Sequence, residues 1–174
     1  MSNQTIDRLV GRATALLETA GKEAPQGTFE GLFVMIRTAD GELRGGIGTT
    51  EAPRSQPSST LVQELVATAA ADPRHPPIEG HEVDGLRLEL WVLPDPPRRI
   101  REPHELDPEN DVLRVRQGLY AGTFLPDVAR EKGWDAEASL AYATRKAGLP
   151  AAKWRDPQTE VLAYRAIRLS EAVE

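Results

Sequence analysis

Six consecutive residues, Leu43-Arg44-Gly45-Gly46-Ile47-Gly48, carry the sharpest chemical suggestion in the chain. Glycines so closely spaced weaken a strand, a cost tolerated where the backbone bends sharply or a ligand approaches closely. Arg44 sets a guanidinium fork beside the exposed N–H groups of Gly45, Gly46 and Gly48, a seat suited to a carboxylate or phosphate. The plainer reading is a bulged hairpin arm with an exposed arginine. No Gly-Lys-Ser/Thr follows, so the segment is not a nucleotide phosphate loop. Glu89 lies in an alternating strand and faces the same way as Arg87 and Trp91. A carboxylate there must pair, with Arg44 or Arg87, or face a solvated cleft where it can move a proton. His75, within Asp72-Pro73-Arg74-His75-Pro76-Pro77, is either a turn side chain or a second proton-transfer candidate. Arg44 and Glu89 are expected on neighbouring strands, reaching one polar pocket that also receives His75.

Other candidates are weaker. His75, His81 and His104 lack ligand spacing, so no metal site is expected. Arg98-Arg99-Ile100-Arg101 reads as a solvated basic loop. The serines near residues 55–59 lack the Gly-x-Ser-x-Gly turn of a hydrolase nucleophile.

The elements that must position these residues follow from periodicity. Ile6, Leu9, Val10, Ala13, Leu16 and Leu17 form one helical stripe that Gly21 should close. Leu32 to Ile36 reads as a buried strand, and an Asp40-Gly41 turn returns the chain along Leu43 to Gly48. Thr60-x-x-Gln63 suggests a capping box for a helix ended by Asp72-Pro73. Leu86, Leu88, Leu90 and Val92 alternate with Arg87, Glu89, Trp91 and Leu93 as a strand. The prolines from Pro94 to Pro103 mark a stiff passage and a subdomain crossing. Beyond it come a hairpin about Gly118, a short helix from Pro126 to Gly133 and a helix opened by Asp135 and stopped by Gly148. One long closing strand is expected over residues 160–169. Without βαβ regularity, the order predicts an α+β fold with a mostly antiparallel sheet and flanking helices.

Composition narrows the function classes. The chain has 174 residues, enough for one domain or two small subdomains, and its 40% hydrophobic and 28% charged residues are ordinary for a globular protein. A net charge of -6 argues against non-specific nucleic-acid binding and against attachment to anionic lipid. Without cysteine there is no disulfide framework, thiolate nucleophile or cysteine-held metal. No apolar run approaches the roughly 20 residues of a membrane span. Met1 to Thr5 begins no secretory leader, so the cytoplasm is the expected compartment.

Taken in order, several segments resemble the AMMECR domain, a family named for a candidate gene of the AMME chromosomal region. Leu43 to Gly48 is similar to its hallmark Leu-Arg-Gly-Cys-Ile-Gly, with Gly46 at the cysteine position. Asp72 to Pro77 resembles Asp-Pro-Arg-Phe-Pro-Pro, with His75 replacing the aromatic residue. Leu88 to Leu93, Gly122 to Val128, Gly133-Trp134, Lys146 to Leu149 and Trp154 continue the series, while Ala143 falls where relatives often carry cysteine. The likeness covers residues 5–170 as one domain, with 1–4 and 171–174 as short tails.

The resemblance implies two interleaved subdomains with a cleft between them and the hexapeptide near it. It also implies partners by association, Memo-like and radical S-adenosylmethionine proteins, but names no reaction and no cofactor. Any thiolate chemistry of the family is closed to this chain, whose enzymatic status stays open. On this reading a small anionic molecule binds, or is transformed, in the cleft. Arg44 would hold the anion, Gly45, Gly46 and Gly48 would admit it, and Glu89 or His75 would move a proton. The alternative is a non-catalytic module for a protein or peptide. RNA binding is disfavoured by the charge and by the few aromatics available for stacking. The protein is expected to show no retention on single- or double-stranded RNA or DNA at physiological salt, and sub-micromolar binding in a filter assay would overturn that exclusion.

Overall fold

A computed structural model describes residues 2–20 and 29–171. The chain forms two compact units, Met1–Pro94 with Ile167–Glu174, and Asp95–Ala166. Each holds one four-stranded sheet, and every strand pair is antiparallel. The α+β class read from the element order is the observed one.

The first unit opens with helix α1 (Asn3–Thr19), whose N-cap Ser2 accepts a hydrogen bond from the Thr5 N–H. Its stop, expected at Gly21, lies outside the described residues. Strands β1 (Gly31–Arg37) and β2 (Leu43–Thr49) form the hairpin, turning through Gly41 at φ 92°. Helix α2 (Ser58–Ala70) and strand β3 (Arg87–Leu93) follow. The capping box expected at Thr60 and Gln63 is absent: α2 begins earlier, with Pro57 as its N-cap and no side-chain cap. The extended backbone of that proline delivers the chain into the helix, so Thr60 already lies in the first turn.

Sheet order in this unit is β2-β1-β3-β8, where β8 is Ile167–Ser170. Leu9, Ala13 and Leu16 of α1 and Leu61, Val62, Val66 and Ala69 of α2 share one core with the sheet. The sheet contributes Leu32, Val34 and Ile36 from β1, and Leu88, Leu90 and Val92 from β3. These are the alternate residues of each strand, because a pleated strand turns every second side chain to the same face.

The second unit contains β4 (Arg98–Arg99), β5 (Asp111–Gln117), β6 (Tyr120–Phe124) and β7 (Glu160–Arg165), in the order β4-β7-β5-β6. Helices α3 (Pro126–Lys132) and α4 (Ala136–Lys146) complete it. Asp135 caps α4 by accepting from the Ala138 N–H at 2.8 Å. At the other end Gly148, at φ 87°, lets its own N–H reach Arg145 O and the Leu149 N–H reach Thr144 O. Leu113, Val115, Phe124, Leu140, Val161 and Ala163 belong to a separate core.

The single closing strand expected over residues 160–169 is two strands. β7 pairs with β5 and β4, whereas β8 pairs with β3, and Ala166 between them donates its N–H to Asn110 O. Val161 and Ala163 enter one core while Ile167 and Leu169 pack against the other. Alternation reveals which side chains turn inward, not into which core.

Two glycines of β2 are required by close approach. A Cβ on Gly45 would overlap the Ala69 carbonyl oxygen at the end of α2, and one on Gly48 would overlap the Phe33 ring. Neither residue is among those with positive φ, so the strand's tolerance for glycine comes from its neighbours and not from an unusual backbone. At Gly46 a Cβ would meet the Met35 sulfur at 2.9 Å, the movable end of a flexible side chain. Gly45→Val is therefore expected to cost at least about 2 kcal/mol and lower Tm by roughly 4–8 °C, with Gly46→Ala changing it little. A thermal melt in which Gly45→Val matched the parent would remove the close-approach argument.

Candidate functional site

β2 is an edge strand, and an edge exposes backbone N–H and C=O groups that need partners. At Gly46 both are taken by the turn that ends α2. The Gly46 N–H donates to Asp72 Oδ2 at 3.0 Å, and Arg74 Nη2 donates to Gly46 O at 3.0 Å. Arg74 also grips the carboxylate, Nη2 to Oδ2 at 2.6 Å and Nε to Oδ1 at 2.9 Å, while its own N–H reaches Oδ1 at 3.0 Å. The Asp72 side chain is only 4% exposed, whereas that of Arg74 is 62% exposed. Arg74's hydrogen bonds hold the Asp72 carboxyl far below the usual carboxylate range, against the opposing effect of burial and with help from the Gly46 N–H.

The chain geometry explains why Asp72 stands there. α2 runs out at Ala70, the Asp72 N–H still reaches Ala69 O, and Pro73 prevents continuation. The missing Cβ of Gly45 lets this helix end lie against β2. Beside the clamp is a cavity of about 260 Å³ lined by Gly46, Ile47, Thr68, Asp72, Pro73 and Arg74. Ile47, in the same lining, is 38% exposed.

Arg44 does not provide the open anion seat expected of it. Its Nε and Nη2 form a two-pronged pair with Glu82 at 3.0 and 3.1 Å, and Nη1 and Nη2 donate to the carbonyls of Pro76 and Pro77. Glu82, which also accepts the Glu79 N–H, is held ionised below its ordinary range chiefly by Arg44. The guanidinium is consumed in tying β2 to the 76–82 segment.

Glu89 belongs to a different set of contacts. Its Oε1 accepts from the Trp91 indole N–H at 2.6 Å and its Oε2 from Arg168 Nη2 at 2.7 Å, with Arg37 Nε at 3.9 Å. The Arg168 guanidinium also lies over the Trp91 ring, 5.6 Å from its centre. The expected pairing with Arg44 is prevented because β1 lies between β2 and β3, and Arg168 of β8 takes the place expected of Arg87. Gly46, Met35 and Glu89 occupy one cross-strand row, with Gly46 and Glu89 two strand spacings apart, about 10 Å. The shared pocket of Arg44, Glu89 and His75 is thus not formed. His75 is half-buried, and its N–H closes the turn on Asp72 O, one residue beyond the cavity lining.

Of the candidate residues, Gly46 lines the cavity and Gly45 and Gly48 shape the strand beside it. The sequence pattern does not by itself mark Asp72 and Arg74 as a clamp on Gly46. The available signal was an aspartate fixed by a following proline, with an arginine two residues on.

A protein-family profile described as AMMECR1 matches residues 2–169. Protein NEQ441 of Nanoarchaeum equitans is 36% identical over 140 residues, covering 77% of this chain and 77% of its own. Protein MJ0810 of Methanocaldococcus jannaschii is 34% identical over 151 residues, covering 83% of this chain and 74% of its own. The crystal structure of the uncharacterized protein PH0010 from Pyrococcus horikoshii superposes with a TM-score of 0.76 at 32% identity, over 95% of this chain and 89% of that one.

The depressed Asp72 carboxyl carries a pH signature. A folded value below the unfolded one, near 3.9, stabilises the fold above that pH, and the contribution is lost as pH falls toward the folded value. Asp72→Asn is expected to cost about 2 kcal/mol at neutral pH, with the gap from the parent narrowing below about pH 4. Urea titrations showing a constant gap across that range would remove the ionised carboxylate from this role.

Proposed function

The chain belongs to the AMMECR1 family, and from that premise we propose that its first unit binds a small carboxylate with an apolar body at the Gly46–Arg74 cavity. One observation carries the reading. Arg74 uses Nε and Nη2 on Asp72 and Gly46, while its Nη1 donates to no group among the described residues and the side chain is largely exposed. A guanidinium fixed on one edge and open on the other is pre-organised for an incoming carboxylate. Ile47 and Pro73 supply apolar surface for the rest of such a molecule.

Binding is favoured over acid–base catalysis at this cavity. Asp72 is saturated with donors and its basicity is suppressed, so it positions Arg74 and does not accept a substrate proton. The exposure of Ile47 on an edge strand favours a second reading, a peptide whose apolar side chain enters the same cavity.

A thermal-shift series from butyrate to octanoate tests the first reading. Near-saturating ligand at about 100 times Kd should stabilise by about 2.7 kcal/mol and raise Tm by roughly 5–10 °C. Arg74→Lys should weaken the response about tenfold, because a point charge does not reproduce the fork. Ile47→Gln, which leaves the clamp intact, should remove the gain with chain length. A flat series with the parent protein defeats the carboxylate reading, and saturable binding of a carboxyl-capped hydrophobic peptide would favour the second.

A further inference from the structure

The second unit contains a cavity of about 460 Å³ that the family assignment and the proposed carboxylate site leave without a role. Its lining includes the guanidinium-bearing residues Arg99, Arg101 and Arg155. Ile100, Trp154 and Thr159 are buried residues of the same lining, so the arginines surround a formed concavity. The sequence cluster Arg98-Arg99-Ile100-Arg101 is divided by the fold. Arg98 is spent on the fully buried carboxylate of Asp111, while Arg99 and Arg101 line the cavity.

Arg99 and Arg101 differ from the ion-paired arginines of the same unit. With a net charge of -6, carboxylates outnumber cations, and Arg116 and Arg165 of the same unit pair with Glu160 and Asp107. Among the described residues the Arg99 guanidinium reaches the Pro157 carbonyl, at 3.3 Å. Among the described residues neither Arg99 nor Arg101 has a carboxylate within ion-pair distance. Two acidic residues share the lining. Asp156 is occupied by Lys153 at 2.6 Å and by the Gln158 N–H, which leaves Glu102 as the opposing charge. Glu105, just outside, accepts the N–H groups of Arg101 and Glu102, and its carboxylate is further stabilised by the Arg101 charge without closing to ion-pair distance. Arg155 pairs with Glu137 and stacks on Trp154 with its guanidinium carbon 4.2 Å from the ring centre, which holds its plane in place. The Trp154 indole N–H is itself buried with no acceptor among the described residues.

We propose that this cavity is a binding site for a small phosphorylated metabolite, its phosphoryl oxygens received by Arg99 and Arg101 with Arg155 completing the cationic wall. Guanidinium forks match the oxygens of a tetrahedral phosphoryl group, and two forks with no carboxylate at ion-pair distance favour a multiply charged anion over a singly charged one. The volume lies in the range of small-molecule sites and exceeds what the phosphoryl group alone fills. The chain's overall negative charge disfavours long polyanions, which restricts the ligand to one local phosphoryl cluster.

Isothermal titration of the full chain with pyrophosphate at physiological ionic strength tests the site. Saturable one-site binding is expected, weakened about tenfold or more in Arg99→Gln and in Arg101→Gln. Both positions are exposed, and circular dichroism melts should match the parent. Arg145→Gln removes the same charge from the same unit outside the cavity and should bind as the parent does. Absence of saturable binding, equal weakening in all three variants, or equal affinity for sulfate would each overturn the phosphoryl assignment.

Discussion

The hydrogen bond from the Gly46 N–H to a buried, ionised aspartate is the constraint around which the first unit's candidate site is arranged. A carboxylate that deep is stable only if donors surround it, and Asp72 receives them from Gly46 and from both the backbone and guanidinium of Arg74. The same arginine returns a hydrogen bond to the Gly46 carbonyl. Two segments 26 residues apart, the hexapeptide and the proline-rich turn, therefore satisfy one another at a strand edge. At Gly46 that edge is no longer a free template for pairing with another chain.

This clamp reassigns the charges around it. Arg44, on the hexapeptide itself, is a tie to Glu82 and two carbonyls, and Glu89 is held by Trp91 and Arg168. Both residues support the frame of the unit. Among the described residues lining the first unit's cavity, Arg74 keeps donor capacity, and it lies outside the hexapeptide. At the position where the family motif has cysteine, a Cβ on Gly46 would meet the Met35 thioether and Leu43 Cδ1, movable side-chain ends that a small shift accommodates.

Local rules made most elements legible. The stripe from Leu9 to Leu16, the Asp40-Gly41 turn, the Asp135 cap and the Gly148 stop are each set by a few adjacent residues, and each is present. What failed was non-local. Nothing in residues 160–169 says that the chain changes sheets at Ala166, and the two-residue strand β4 is too short to show a period. For the site, Glu82 lies 38 residues from Arg44 and Arg168 lies 79 from Glu89, so neither pairing has a sequence signature. Asp72 was legible as a helix stop because Pro73 follows it. Its electrostatic role depended on Gly46, which only the tertiary structure brings within reach.

The division at Ala166 also dictates an order of assembly. β8 is one edge of the first unit's sheet, but it follows the whole of the second unit in the chain. During synthesis the second unit is a continuous stretch and can close as soon as it leaves the ribosome. The first cannot. Until β8 arrives, the outer edge of β3 and the acceptor oxygens of Glu89 lack the partners supplied by residues 167–170. Nascent chains interrupted between residues 94 and 167 would therefore carry α1, α2 and three strands around an unfinished sheet, a species suited to chaperone capture. The first unit is thus begun first and finished last.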